Sequence, residues 1–297
     1  MSPEPAPDPD WNEVWKQQQL RQESSKLRED TSHDWSKKEN AERYDTNARN
    51  EYDERVRASI AALGATKEMR VLDIGAGPGT LAIPLAPLIA AITAVEPGAG
   101  MVSVLKARAE RDGIRNITCV QKIWEDVDTS RDLQGPYDIV IASLSLTMHD
   151  IREALRKMDD ACSGSVHLFW FVDMPFWERM SADLQERLHG RPYHPGPKAD
   201  CLFGVLCQMG IYPDVTMMTL GKEYRFGNRD EMLAFFCKRF AATTAEQKRI
   251  VEEYILPMIH QSGNEVVISG DSVFAHLRWK KNSSIMTGND SSKSADA

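Results

Sequence analysis

A chain of 297 residues, 42% hydrophobic, is long enough for one large domain or for a core with an attached second unit. Its net charge of −8 comes from interspersed acids and bases, which argues against a broad basic surface for nucleic acid. No apolar run approaches the roughly 18 residues of a membrane span, and the five cysteines form no C-x-x-C pair, so a soluble, cytoplasmic protein with reduced thiols and no membrane partner is expected.

Residues 1–9, acidic and proline-rich, are unlike a signal peptide and read as a tail, as do the polar residues 282–297. Residues 10–54 are polar but punctuated by Trp11, Trp15, Leu20, Trp35, Tyr44 and Tyr52, the pattern of amphipathic helices laid over another surface. From 55 to 172 strands alternate with helices. Strands are expected at 70–74, 92–96, 117–121, 138–142 and 165–171, with helices at 80–89, 100–112 and 151–162. Strands this uniformly apolar belong to a parallel sheet covered on both faces. Pro84 and Pro87 make the first of these helices short or kinked.

After Phe171 the rhythm changes. Residues 174–188 read as a helix, 189–198 as a loop, 201–209 as a helix and 213–220 as a strand. Two more helices follow at 229–240 and 244–260. Residues 265–281 resume a strand pattern and are expected to close the sheet in the antiparallel sense. The region 173–264 is thus a lid or substrate region, with insertions at 173–198 and 222–262.

The chemistry concentrates at Val71-Leu72-Asp73-Ile74-Gly75-Ala76-Gly77-Pro78-Gly79-Thr80. A buried strand, a tight turn and a helix N-terminus are implied, with glycines where the backbone takes positive φ or meets a ligand. Glu96 stands 21 residues after Gly75, the spacing at which an acid takes ribose hydroxyls. A dinucleotide fingerprint would need glycine where Thr80 stands, and Asp73 beside the loop disfavours a pyrophosphate and favours a cationic group.

This combination resembles the first motif of class I S-adenosylmethionine (SAM) dependent methyltransferases. The likeness continues through Val95-Glu96-Pro97, Met101, Ile123-Trp124-Glu125-Asp126 and the run from Tyr137 to Ser143, covering residues 55–172. It implies an α/β, Rossmann-like fold: a seven-stranded, mostly parallel sheet with helices on both faces, an N-terminal helical cap over the cleft and helical inserts in the C-terminal half. It implies SAM as cofactor, S-adenosylhomocysteine as product, and methyl transfer by in-line displacement. The cofactor set expected from it is Asp73, Gly75, Ala76, Gly77 and Gly79 at the methionine end, Glu96 on the ribose, and Pro97, Met101, Ile123, Trp124 and Glu125 around adenine. Ala142 and Ser143 border the site, and Trp35 and Tyr44 come from the cap. Ile123 occupies the slot of the family's usual adenine-contacting acid, and the resemblance puts Glu125 or Asp126 near the exocyclic amine.

The Asn/Asp-Pro-Pro-aromatic run of many nitrogen-methylating members is absent after the fourth strand, where Ser143 to Asp150 stand. His149 is the candidate general base there, while Asp150 reads equally as the N-cap of the next helix. His189, His194 and Cys201 match no standard zinc spacing, so no metal is expected. The expected acceptor is a small molecule. A protein side chain is the alternative, as is a SAM-binding module without turnover.

Overall fold

The computed structural model describes residues 9–27, 34–51 and 53–281, with the backbone alone at 47–51 and 53. The tails expected at 1–8 and 282–297, and Tyr52, lie outside the described residues. Five parallel strands form the heart of the sheet: β1 (Arg70–Ile74), β2 (Ala91–Val95), β3 (Ile117–Val120), β4 (Tyr137–Ser143) and β5 (Cys162–Phe171). With β6 (Asp214–Phe226) and β8 (Glu265–Lys280) the order is β3-β2-β1-β4-β5-β8-β6, and the short β7 (Ile259–Ser262) pairs with β8. β8 runs antiparallel to both β5 and β6, as the sequence pattern required.

Alternation along the strands explains the two covered faces. Leu72, Val140, Val166 and Leu168 point to one side, where α1 (Trp11–Ser25), α6 (Ile151–Ala161) and α8 (Ala199–Gln208) bring Trp15, Leu155 and Leu202. Val71, Ile139, Ile141 and Phe169 point to the other, against Val56 of α3 (Asp53–Leu63) and Leu81, Ala82 and Leu85 at α4 (Ala82–Leu85). α4 is only four residues long and passes at once into a 3-10 turn at Ala86–Leu88, the break that Pro84 and Pro87 impose. α5 (Ala99–Arg111) buries Leu105 against Ala94 and Ala76, and α2 (Lys38–Glu51) places Ala41 against Met101 and Val104 of α5. No helix of the described residues is long and apolar enough to cross a membrane.

Two expectations are corrected here. The sheet has eight strands, because Ile259 and His260, read as the end of a helix, form with Gln261 and Ser262 a strand that turns back onto Glu265–Ile268 of β8. β6, read as ending at Leu220, continues to Phe226. Its charged residues misled, yet Gly221, Glu223 and Arg225 face outward while Leu220, Lys222, Tyr224 and Phe226 are buried. Lys222 is accommodated because its ammonium lies 5.3 Å from the Trp177 ring centre and 4.8 Å from that of Tyr224.

The far halves of β6 and β8 therefore project beyond the carboxyl edge of the parallel strands. They carry α7 (Phe176–His189), α9 (Arg229–Arg239) and α10 (Ala245–Ile255). This arm has its own apolar core of Phe176, Met180, Leu184, Tyr224, Phe226, Met232, Phe236, Phe240, Val251, Ile255 and Ile268.

Candidate functional site

β1 ends in a loop tied to its neighbours by backbone bonds. The N–H groups of Gly75 and Ala76 both donate to the Val95 carbonyl, at 2.8 and 3.1 Å. Gly75 has φ +72°, and a Cβ there would run into the Ser145 side chain. The residue must be glycine on both counts. Ser145 Oγ donates to the Ile74 carbonyl at 2.6 Å, which fixes the loop after β4 against the glycine turn. Gly79 sits below the loop, packed against Ile83 and Leu105.

Two carboxyls stand under this turn. Asp73 is 2% exposed, and its Oδ2 has no hydrogen-bond partner among the described residues. Burial, with the neighbouring Glu96 charge added, pushes its carboxyl up to about 7. Glu96 accepts from the N–H of Gly77 at 2.9 Å and from that of Gly98 at 2.7 Å. Burial raises its pKa, and those two bonds act against the rise. Each oxygen keeps a second lone-pair direction for a ligand hydroxyl. An uncompensated buried carboxyl such as Asp73 is costly in a closed fold, so its orphaned oxygen marks a position built for a donor or a cation.

These groups border a cavity of about 330 Å³. Of the residues expected there, Trp35, Tyr44, Asp73, Gly75, Ala76, Gly77, Glu96, Pro97, Met101, Ile123, Trp124, Glu125 and Ser143 line it. Gly79 and Ala142 do not, being packed beneath it. The Trp124 indole belongs largely to the core: its N–H donates to the Ala154 carbonyl at 3.1 Å and the Lys157 ammonium lies over its ring at 4.9 Å. His149 is absent from the lining. Its ring lies on the surface, 3.0 Å from a Glu23 carboxylate oxygen, while Asp150 caps α6 by accepting from the Glu153 N–H.

Sequence reasoning passed over Arg55, Thr80, Leu144, Ser145, Thr147 and Met148, all of which line the cavity. Thr80 carried a signal in its place directly after the loop, and its Oγ1 is buried without a partner among the described residues. Leu144 carried none, since φ +57° at a bulky residue is fixed by tertiary context alone.

The N-terminal helices hold the rim. Trp35 and Tyr44 meet edge to face at 5.5 Å, and the Gly100 N–H donates to the Trp35 carbonyl at 3.1 Å. Arg108 of α5 joins Asp45 of α2 at 2.6 Å and donates to the Pro78 carbonyl of the glycine loop at 3.2 Å. On the other face of the sheet, Trp15 Nε1 donates to the Met148 carbonyl at 2.8 Å and Gln19 Nε2 to that of Leu146 at 3.1 Å. Helix α1 thus pins the loop that forms one wall of the cavity.

Comparison with known proteins adds four findings. The profile of a methyltransferase domain family matches residues 71–163, from β1 to the start of β5. An uncharacterised Haemophilus influenzae protein is 31% identical over 99 residues, covering 33% of this chain and 36% of its own. A 23S rRNA (uracil(1939)-C(5))-methyltransferase of Chromohalobacter salexigens is 39% identical over 66 residues, covering 22% of this chain and 14% of its own. The chain thus spans about a third or less of the curated relatives it matches. Among solved structures, a provisionally assigned methyltransferase of Bacillus halodurans superposes with a TM-score of 0.51 at 16% identity, over 76% of this chain and 98% of that one. At that identity the likeness is one of fold.

Proposed function

We propose that the chain is a methyltransferase of the class I, SAM-dependent kind and that it methylates a small-molecule acceptor in the cavity described above. The observation that carries this reading is the orphaned Asp73 carboxyl beneath the Gly75–Gly79 loop, facing a cavity whose other wall presents Glu96. A buried acid without a donor fits the ammonium of an amino-acid group, and it does not fit a pyrophosphate. Glu96 has lone pairs in position for ribose hydroxyls, while Pro97, Met101 and Ile123 offer apolar surface for a base.

Bound there, SAM supplies a methyl carbon made electrophilic by a sulfonium. The protein's part is to bind, orient and exclude water. Asp73 and Glu96 hold the two ends, and the rigid Ser145–Ile74 bond keeps the loop after β4 in one shape. Trp35, Tyr44 and the Arg108–Asp45 pair close the rim. The helical rim of Trp35, Tyr44 and the Arg108–Asp45 pair over the cavity supports a small acceptor over an extended polymer. Calorimetry with SAM, S-adenosylhomocysteine and NADH tests the premise, and a metabolite screen read by S-adenosylhomocysteine release tests the acceptor. SAM and its product should bind; tight binding of NADH with no response to SAM would sink the reading.

A further inference from the structure

We propose that the outer edge of β6 between Asp214 and Leu220 is a self-association surface, on which a second copy of the chain adds its own β6 antiparallel about a two-fold axis. β6 is the last strand of the sheet, so one side of its backbone has no neighbouring strand. Among the described residues, 214–219 make no hydrogen bond outside the ladder to β8. Their outward N–H and C=O groups form a row open to another strand. None of these residues lines the cavity, so the contact stands or falls independently of the chemistry there.

Sheets ordinarily blunt such an edge with a short strand, lysine, proline or a bulge. The opposite edge, β3, is only four residues long, and the far half of β6 carries Lys222, Glu223 and Arg225. Between Asp214 and Leu220 none of these devices is present. The register against β8 is unbroken, and Asp214, the single charge of the stretch, stands opposite Arg278. The side chains are apolar as well. Val215 and Met217 lie opposite Leu277 and Ala275 of β8, and so on the face that α8 covers. α8 packs on Leu277 and Ala275 and stops short of β6, which leaves Val215 41% and Met217 60% exposed. Tyr212, just before the strand, is exposed too.

Symmetry points to a second copy as the occupant. In an antiparallel pair with its two-fold axis through Thr216, Val215 of one copy faces Met217 of the other, and Met217 faces Val215. The two exposed apolar residues thus cover each other twice. Thr216 meets its counterpart, and Asp214 falls opposite Met218 rather than another acid. A chain of net charge −8 repels its own copies over most of its surface, so a contact that brings no carboxylates together is one that two copies can make. Such a contact closes at the dimer. Its ladder is small beside the roughly 1,200 Å² of a stable interface, which makes the dimer a reversible one.

Sedimentation velocity on the full chain over a concentration series tests this. The unaltered protein should pass reversibly from monomer to dimer and no further. Val215→Lys and Met217→Asp should each weaken self-association about 10-fold or more, since each sets an unpaired charge against an apolar neighbour. Both positions are exposed, so far-UV circular dichroism and the urea midpoint should stay unchanged, which separates lost association from lost folding. Mixed in equal amounts, the two variants should associate with each other. One facing pair then joins the introduced lysine to the introduced aspartate, and the other remains Met217 against Val215. An unaltered protein that stays monomeric throughout would overturn the proposal, as would single variants that dimerise undiminished. Assemblies larger than a dimer, or a mixture that fails to associate, would overturn the two-fold pairing on which it rests.

Discussion

The two halves of β8 are one continuous strand in two different environments. From Phe274 to Arg278 it is held between β5 and β6 inside the main sheet, with Phe274, Ala275 and Leu277 buried. From Glu265 to Ile268 it lies between β7 and β6, in an arm whose helices bury Phe236 and Ile268 in a separate cluster. The first half helps build the sheet whose edge carries the cavity, and the second builds a compact appendage over that edge. A strand can thus join two apolar cores that need not melt together, which makes separability of arm and sheet the property to test.

The largest expected effect comes from deleting one ring in each core. Phe274→Ala should cost about 3–5 kcal/mol of the whole molecule's stability and lower its single main unfolding midpoint in urea. Phe236→Ala removes a similar ring, but its loss should appear as an earlier, separate transition, with S-adenosylhomocysteine affinity retained. One shared transition in both variants would make arm and sheet a single cooperative unit. Next, Glu96→Ala should weaken SAM binding by about 2–3 kcal/mol through the cavity alone, leaving the arm transition where it was. Gly270→Ala should do the reverse. The new methyl would enter the Phe176 ring, an overpacking expected to cost about 1–3 kcal/mol in the arm with ligand affinity unchanged.

The pH dependence sharpens the contrast further. The Asp73 carboxyl, raised to about 7 in the folded protein, gives a stability contribution that is full below its ordinary value of 3.8 and lost as pH rises through 7. Binding of an ammonium needs the ionised form, so affinity for S-adenosylhomocysteine should rise about tenfold between pH 6 and pH 8, and Asp73→Asn should flatten both trends. The arm should show neither. His167 and His276, stacked between β5 and β8, are depressed by burial to about 3 and about 4. Their contribution to the sheet half is present above their ordinary 6.5 and is lost as pH falls toward 3, a loss visible in melting curves at acid pH. Smallest of all, Thr244→Ala removes the capping box of α10 and should cost the arm about 1 kcal/mol.

The sheet half was legible for a physical reason. Parallel strands buried on both faces must be apolar throughout, and Val71 to Ile74 or Tyr137 to Ala142 have no other use. The glycine loop, Asp73 and Glu96 were legible because backbone geometry restricts which residues serve there. The arm was half legible: Phe176, Phe235 and Phe236 declared a core, but Lys222, Glu223 and Arg225 hid the strand that carries it. Charge alone misleads at such a place because an alternating edge strand shows one charged and one buried face. Arg55 and Leu144 were not legible at all. One looks like any surface arginine of a helix, and the other adopts its φ only in a loop tied to β5, β1 and α1.

The bonds from Trp15 to Met148 and from Gln19 to Leu146 span 133 and 127 positions of the chain. Contacts so remote in sequence close large loops, and such closures come late on the path from the unfolded chain. The wall of the cavity between Leu144 and Met148 therefore depends for its shape on the docking of the first helix as well as on the strands that position Asp73 and Glu96.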